Sequence, residues 1–362
     1  MKLPVGGFRF LSEAELLDFN PITIDENSGF GYLVTADIDI PLDKHEFFSE
    51  LPPLPEKIKI DVSNLSCYQT GLQEDYKKDL SNNMNIEKLS LNLFNKEKYT
   101  IHFRLLKYFV SLGVIVKKIH SVVKFREEAF LKPFIKYHTK KRQESKSEAT
   151  KKLHKYWINS CYGVFLLRKE LYQDFFIARD SITAVRLASK REFQSFTIID
   201  DCTSLLQLKK PYVYLNKFPY VGSMILENSK IHFYRVWYEG IKKHFGPRVK
   251  LISYDTDSYN MLITSPDCDK ELSTIKLDGD DLFDFSAHDR ALPSFSLKNK
   301  GALGLLKSET KGFSAVAFVG LAQKIHSLKL IDKSNALKCK GIPYSFLRKC
   351  NFDTYKNTLF TR

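Results

Sequence analysis

Two periods of apolar and polar residues alternate along the chain, and the changes between them mark its elements. The stretch GYLVTADIDIP, Gly31 to Pro41, repeats every second residue like a half-buried strand and stops at proline. LPPLPEKIKIDVS, residues 51–63, reads as a Pro-rich turn followed by a strand, and SNNMN, residues 81–85, as a loop. YTIHFRLLKYFVSLGVIVKKIHSVVKF, residues 99–125, predicts a strand, a helix ending near Gly113 and a second strand. From 134 to 163 the pattern is helical, with a break near SKSEAT, so two helices are predicted. Residues 165–225 are mixed, with strands at SFTII and YVYL, and SKIHFYRVWYEGIKKHFG predicts an amphipathic helix ending at Gly246. Next come the apolar runs KLIS and YNMLI on either side of YDTDS, a β-hairpin with an acidic turn. Residues 266–300 are rich in loops and partly acidic, and the tail returns to mixed structure. The order describes an α+β or mixed α/β protein interrupted by a helical hairpin.

A chain of 362 residues has room for two or three structural units. Its charge changes the picture more than its size does. With 56 Lys+Arg against 42 Asp+Glu the net charge is +14, an electrostatic footprint for a polyanionic partner. Half of that excess lies in one segment: between Lys132 and Lys155 there are nine basic residues and two glutamates. Such a bias exceeds what a solvated helix face needs. The six cysteines are widely spaced and form no C-x-x-C, which indicates neither a zinc site nor a disulfide framework and fits a reducing, intracellular compartment. The first residues, MKLPVGGFRF, lack a long apolar core for a secretory signal, and no apolar run reaches membrane-spanning length.

The acidic turn is the first candidate for chemistry. On an extended backbone residues i and i+2 point the same way, so Asp255 and Asp257 are expected to share a face. Adjacent carboxylates repel unless a cation neutralises them, and hard oxygen ligands suit magnesium or manganese (Mg²⁺ or Mn²⁺). An isolated D-x-D is more simply a surface turn; here the flanking apolar strands bring it to the edge of a core. The second candidate is KYWINSCYG, Lys155 to Gly163. At helical spacing Lys155, Asn159 and Tyr162/Gly163 lie on one face: an ammonium for a phosphate, an amide, a flat ring, and room for close approach. Arg142 and Lys146, four apart in the preceding helical stretch, repeat the logic, the alternative being a solvated face. Two such faces opposed would form a cationic mouth for a triphosphate. Core packing is the expectation for Trp157.

KYWINSCYG and YDTDS, in this order and separation, resemble the fingers motif K-x3-N-S-x-Y-G and the palm motif D-T-D-S of family B DNA polymerases. Further segments, among them LPVGGFRFLS, LKPFIKYHTKKRQ, YVGSMILENSK and LGLLKSETKGFSAVAFVGLAQKIHSLKL, resemble the protein-primed polymerases of Maverick/Polinton-type transposons and related viruses. The resemblance implies an α+β right-hand fold: an antiparallel palm sheet with helices, interrupted by helical-hairpin fingers, with a partial thumb and no exonuclease domain. By position it divides the chain into palm (1–125, with a candidate insertion at 64–105), fingers (126–164), palm (165–300) and thumb (301–362). It implies template-directed addition of deoxynucleotides to a 3′ end by two metal ions, with Asp257 the main metal ligand and Asp255 its neighbour. Arg142, Lys146 and Lys155 would contact the incoming triphosphate, Asn159 and Tyr162 the nascent pair, and Gly163 and Lys324 the DNA. Template, primer and deoxynucleotides are the implied partners, with a terminal priming protein, and a transposon enzyme would work in the nucleus.

Some residues depart from the family pattern. The first palm Asp belongs just upstream of LPVGGF, where this chain begins, so the resemblance implies a fragment; Asp37 and Asp39 match a later strand of the family instead. Val164 stands where the family has Lys after its fingers Y-G, and His326 where it has the Tyr of K-x-Y. Two other readings stand beside the polymerase. One is a non-catalytic nucleic-acid-binding remnant. The other is a nucleotide-sugar transferase using D-x-D, which leaves the basic helices without a role.

Overall fold

A computed structural model describes residues 1–59, 61, 63, 65–67, 70–71 and 87–361. The alternation from Phe30 to Asp39 folds as a strand whose Val34, Ala36 and Ile38 are fully buried. It sits inside a four-stranded sheet ordered Leu3–Phe10, Ile115–Glu128, Phe30–Asp39, Lys96–His102. Between the last of these and Ile115, helix Phe103–Ser111 buries Phe103, Leu105, Leu106 and Phe109 and ends before Gly113, which takes φ +108°. This is the strand, helix and strand expected from the sequence. The SNNMN loop lies outside the described residues. Within the candidate insertion at 64–105, Lys88–Ser90 pairs antiparallel with Glu56–Ile58, and Lys96–His102 belongs to the main sheet.

The chain separates into two compact units. The first comprises 1–34, 101–103 and 121–228. Leu3, Phe125, Val221 and Met224 form its core, with Leu131 and Phe165 from the two ends of a helical hairpin packed against them. The helices of that hairpin are Lys132–Glu144 and Glu148–Phe165. After it, strands Gln173–Ala178, Thr203–Lys209 and Phe193–Asp200 form an antiparallel three-stranded sheet in that spatial order. Helix Ser181–Ala188, capped by the Asp180 carboxylate on Thr183 N–H, covers one face through Leu187, over Ala178, Leu206 and Leu208. The expected strand at SFTII is present, but YVYL is irregular. Pro211 cannot donate to a ladder, and Tyr212, Tyr214 and Leu215 are exposed.

The second unit comprises 35–100, 104–120 and 229–362. The helix expected at 229–246 begins earlier, at Pro219, which fits the first turn because its missing N–H has no partner to lose there. The helix widens to π winding over Val236–Lys242 and stops at Gly246, φ +57°. Trp237 and Ile241 are fully buried on this wide turn. The Pro-rich turn expected near residue 52 is itself core: Leu51, Pro52, Pro53 and Leu54 are all buried. Prolines lack N–H groups, so mainly carbonyls need partners, and tyrosine hydroxyls supply them. Tyr238 donates to Leu51 O (2.6 Å), Tyr234 to Pro52 O (2.7 Å) and Tyr99 to Pro55 O (2.9 Å). Buried Lys96 is neutralised by Glu56 at 2.5 Å. The tail forms a sheet of Ala315–Ala322, Ile325–Leu330 and Asn335–Cys339, on which Phe352 and Tyr355 of the terminal helix pack. All six cysteines are free thiols, and among the described residues no helix is long and apolar enough to cross a membrane.

A surface cluster ties helix Cys268–Thr274 to the strand beginning at Val249. Arg248 binds both oxygens of Glu271 (3.1 and 2.9 Å), and Ser265 Oγ donates to Glu271 at 2.6 Å. The Arg248 bond, followed by that of Ser265, lowers the Glu271 carboxyl to about 2. A carboxyl depressed on folding contributes stability above its unfolded value, near 4.3, and loses it as pH falls toward the folded one. Arg248→Ala is therefore expected to lower the melting temperature at neutral pH. The gap between variant and parent should close as pH drops from about 4.5 toward 2, which thermal melts across that range measure.

Candidate functional site

The acidic hairpin is built by strands Val249–Asp255 and Ser258–Ile263, with Asp255 opposite Ser258. Their connection is tighter than an extended reading allows. Asp257 N–H donates to Asp255 C=O at 2.6 Å around Thr256, which takes φ +58°. A bond across one residue at positive φ is a γ-turn, a strained conformation for a β-branched side chain, at a cost of roughly 1–3 kcal/mol. The expectation that Asp255 and Asp257 share one face of an extended strand is corrected accordingly: Asp255 closes the strand and Asp257 belongs to the turn, where it is exposed. Thr256 Oγ1 donates to Asp255 Oδ1 at 3.1 Å, and Asn260 Nδ2 to Ser253 Oγ at 2.9 Å, bracing the hairpin end. Beneath it, Tyr259 stacks on Phe233 (centroids 4.3 Å apart, 8° between planes) and donates to Phe233 O at 2.6 Å.

A second sequence candidate arrives at the same carboxylate. Lys324 occupies the turn between strands Ala315–Ala322 and Ile325–Leu330 at φ +63°, and its ammonium lies 3.0 Å from Asp255 Oδ2. Lys338, which sequence reasoning did not single out, is 3.8 Å from the same oxygen. It sits opposite His326 in the sheet, a register that no local pattern reveals. The Lys324 hydrogen bond holds the Asp255 carboxyl below its ordinary range, against a smaller opposing effect of burial, and Lys338 adds to the lowering. His326 stacks on Phe318 (5.6 Å, 27°), and burial, then Lys338, lowers its pKa.

Whether these residues suit a metal can be judged from their donors. Two carboxylates match the usual protein share of one magnesium completed by phosphate oxygens. Among the described residues no group of three or more His, Cys, Asp or Glu is placed to hold an ion. Asp37 accepts Lys98 N–H and pairs with His120, both at 2.8 Å, and Asp39 pairs with Lys117 at 3.2 Å. By donor count alone, Asp255 and Asp257 are enough for one hard cation and not for two.

The remaining candidates lie on the helical hairpin, in the other unit. Lys155, Asn159, Tyr162 and Gly163 follow one another on helix Glu148–Phe165, with Lys155 and Asn159 exposed. A Cβ at Gly163 would meet nothing within 4 Å, so that surface is open. Arg142 is in the last turn of the first helix. Lys146 is not: the helix ends at Glu144, and Lys146 falls in the link before Glu148, because Ser145 and Ser147 take extended backbone. The i, i+4 pair expected of Arg142 and Lys146 is thus absent. Trp157 is also corrected. It is 51% exposed and lies flat on His138 (5.6 Å, 6°), whose Nδ1 meets His154 Nδ1 at 2.9 Å. Leu153, one turn before it on the same helix, is also half exposed, so no core closes there.

No family model and no curated protein matches the chain. Solved structures do. Phi29 DNA polymerase in an orthorhombic crystal form is 13% identical with a TM-score of 0.52, over 98% of this chain and 50% of that one. The same polymerase with primer-template DNA, and with DNA and incoming nucleotides, gives 14% identity and a TM-score of 0.46 over the same shares. The first likeness shows a polymerase-like fold. The chain spans about half the length of the polymerase it matches.

The stack on the hairpin is open to test. Trp157→Ala removes one ring of the Trp157–His138 pair, worth roughly 0.5–1.5 kcal/mol. Amide exchange is expected to quicken about three- to tenfold within 132–165 and to stay unchanged in 249–263.

Proposed function

We propose that the chain is the palm, fingers and partial thumb of a protein-primed family B DNA polymerase, and that it adds deoxynucleotides to a primer under the direction of a template. The observation that carries this is the meeting of Asp255, from YDTDS, with Lys324, from a segment 69 positions later that resembles the family's primer-contact motif, at 3.0 Å. Nothing in local sequence requires those segments to converge. The polymerase-like fold over 98% of the chain supports the reading. The Maverick/Polinton subgroup rests on the segments quoted from the sequence.

In this reading Asp257 and Asp255 would hold the divalent cation, Mg²⁺ or Mn²⁺, which when bound neutralises triphosphate charge and makes the primer hydroxyl more acidic. Lys324 has a second task. Its ammonium leaves Asp255 for a primer phosphate as DNA enters, so the carboxylate is released when it is needed. Lys155 and Arg142 bind triphosphate oxygens, with Lys146 reaching in from the link. Asn159 and Tyr162 orient the sugar and base, and the open surface at Gly163 admits the new pair. DNA, deoxynucleotides and a terminal priming protein are the partners.

One observation favours a second reading, a nucleic-acid-binding remnant. Asp255 is held by two lysines, and no three-ligand group exists among the described residues. The two readings separate in a primer-extension assay. A chain carrying the upstream Asp is expected to extend a primer with Mg²⁺ and to lose synthesis on Asp257→Ala; full activity in that variant rejects the polymerase. Synthesis in neither, with salt-sensitive DNA binding, identifies the remnant. The Lys324 role has its own measure. Lys324→Met is expected to tighten Mn²⁺ binding up to about fivefold, the scale of an exposed ion pair, in a titration without DNA.

A further inference from the structure

The two helices of the hairpin at 132–165 each carry one histidine. His138 lies six residues before the end of helix Lys132–Glu144, and His154 six after the start of helix Glu148–Phe165. Antiparallel helices joined by a short link place such positions opposite one another. The two Nδ1 atoms are 2.9 Å apart, and both residues are half-buried. As a plain hydrogen bond this contact needs one Nδ1–H and one bare Nδ1. The His138 ring is held in place: it lies against Phe134, with centroids 4.4 Å apart, and flat on Trp157. His154 meets the His138 ring at 5.2 Å and no other ring among the described residues, so it is the less constrained of the two.

Two imidazole nitrogens that converge from two helices also make a chelate. Imidazole suits nickel, copper and zinc, whereas Mg²⁺ prefers oxygen. With metal–nitrogen bonds of about 2.0–2.1 Å, nitrogens 2.9 Å apart subtend about 90° at an ion. That is the angle between neighbouring ligands of tetragonal Ni²⁺ or Cu²⁺. A tetrahedral ion would need the nitrogens about 3.3 Å apart. The ion stands to one side of the line joining them, so His154 turns to meet it while His138 keeps its stack. The one Nδ1 hydrogen passes through water to Nε2 of the same ring; two neutral rings bind, and no electron is transferred. Neighbouring charge opposes a dication only in part. Lys141 and Lys151, each three residues from one of the histidines, are drawn to Glu144 (3.6 Å) and Glu148 (2.6 Å). Arg142, a turn beyond His138, remains a cation facing the turn. A single imidazole in this field would hold an ion weakly, but a second one already in place makes the next bond intramolecular.

We infer that His138 and His154 form a two-imidazole site for a tetragonal divalent transition ion, Ni²⁺ or Cu²⁺, which pins the two helices of the hairpin together. Neither histidine has a role in the polymerase reading, so the site stands or falls apart from it. Ni²⁺ is the probe, because Cu²⁺ oxidises thiols and the chain has six free cysteines. Trp157 reports binding: an open-shell ion quenches an indole stacked on its ligand, while Trp237 is fully buried in the other unit. Titration of the full chain with Ni²⁺ in excess Mg²⁺ is expected to quench part of the emission, and amide exchange should slow within 132–165 alone. His138→Ala and His154→Gln should each weaken Ni²⁺ binding at least about tenfold. Glutamine at 154 still offers His138 a hydrogen-bond partner, so the metal-free variant should melt close to the parent. Trp157→Phe should lose the quenching and keep the slowed exchange. Unchanged Ni²⁺ affinity in both histidine variants overturns the inference and leaves the pair a hydrogen bond. So does quenching that Mg²⁺ reverses, or slowed exchange that persists in His154→Gln.

Discussion

The site depends on a buried turn of prolines. Residues 51–54 occupy the middle of the second unit, and a proline-rich segment can be buried there because few of its amides need partners. Its carbonyls do, and the hydroxyls of Tyr234 and Tyr238, one turn apart on the long helix, meet two of them. Burial pushes the Tyr238 phenol well above its ordinary pKa, so it remains a donor at any physiological pH. Leu54 completes the turn at φ +56°, a conformation that leucine adopts only when its surroundings enforce it.

The same turn reaches the acidic hairpin. Glu50, next to it, accepts Leu251 N–H at 3.2 Å and pairs with Lys242 on the helix. The bond falls where the hairpin's register slips, between Leu251 and Ser253. A bulge leaves an amide without a ladder partner and re-aims the strand beyond it. Glu50 holds the Leu251 amide beside the bulge, whose extra residue is Ile252, and beyond it the strand brings Asp255 to Lys324 and Lys338. Strain at Thr256 and Lys324, both at positive φ, is held by this framework.

Much of this was legible in the sequence, and the remainder has identifiable causes. Strong alternation marked the strand at 30–39, and the apolar runs around YDTDS marked its hairpin, because period 2 with a polar turn has few other solutions. The Pro-rich turn was visible as a turn, but its burial was not, since that depends on tyrosines some 180 positions away. YVYL carried the β-branched and aromatic composition of a strand without a neighbour to pair with. Trp157 looked like core because large aromatics usually are; on a helix this cationic its partner is another ring, His138. Lys338 was invisible for the opposite reason. It is one lysine among many until the register of its strand places it across from His326.

The two positive lysines at Asp255 bear on how the acidic hairpin could work. Without a cation, a carboxylate next to a second carboxylate gains from an ammonium neighbour, and the strained turn gains a fixed end. A lysine at 3.0 Å is also a competitor for any metal that uses the same oxygen. An ammonium that only neutralises Asp255 would serve equally well from any direction. Lys324 instead stands in a tight turn, at a backbone conformation unfavourable for lysine, with Lys338 behind it as a second cation. That arrangement keeps positive charge near Asp255 even when one of the two lysines turns to another anion. In the proposed reading, a polyanion entering there would take Lys324 while Lys338, 3.8 Å from the same oxygen, continues to offset the carboxylate.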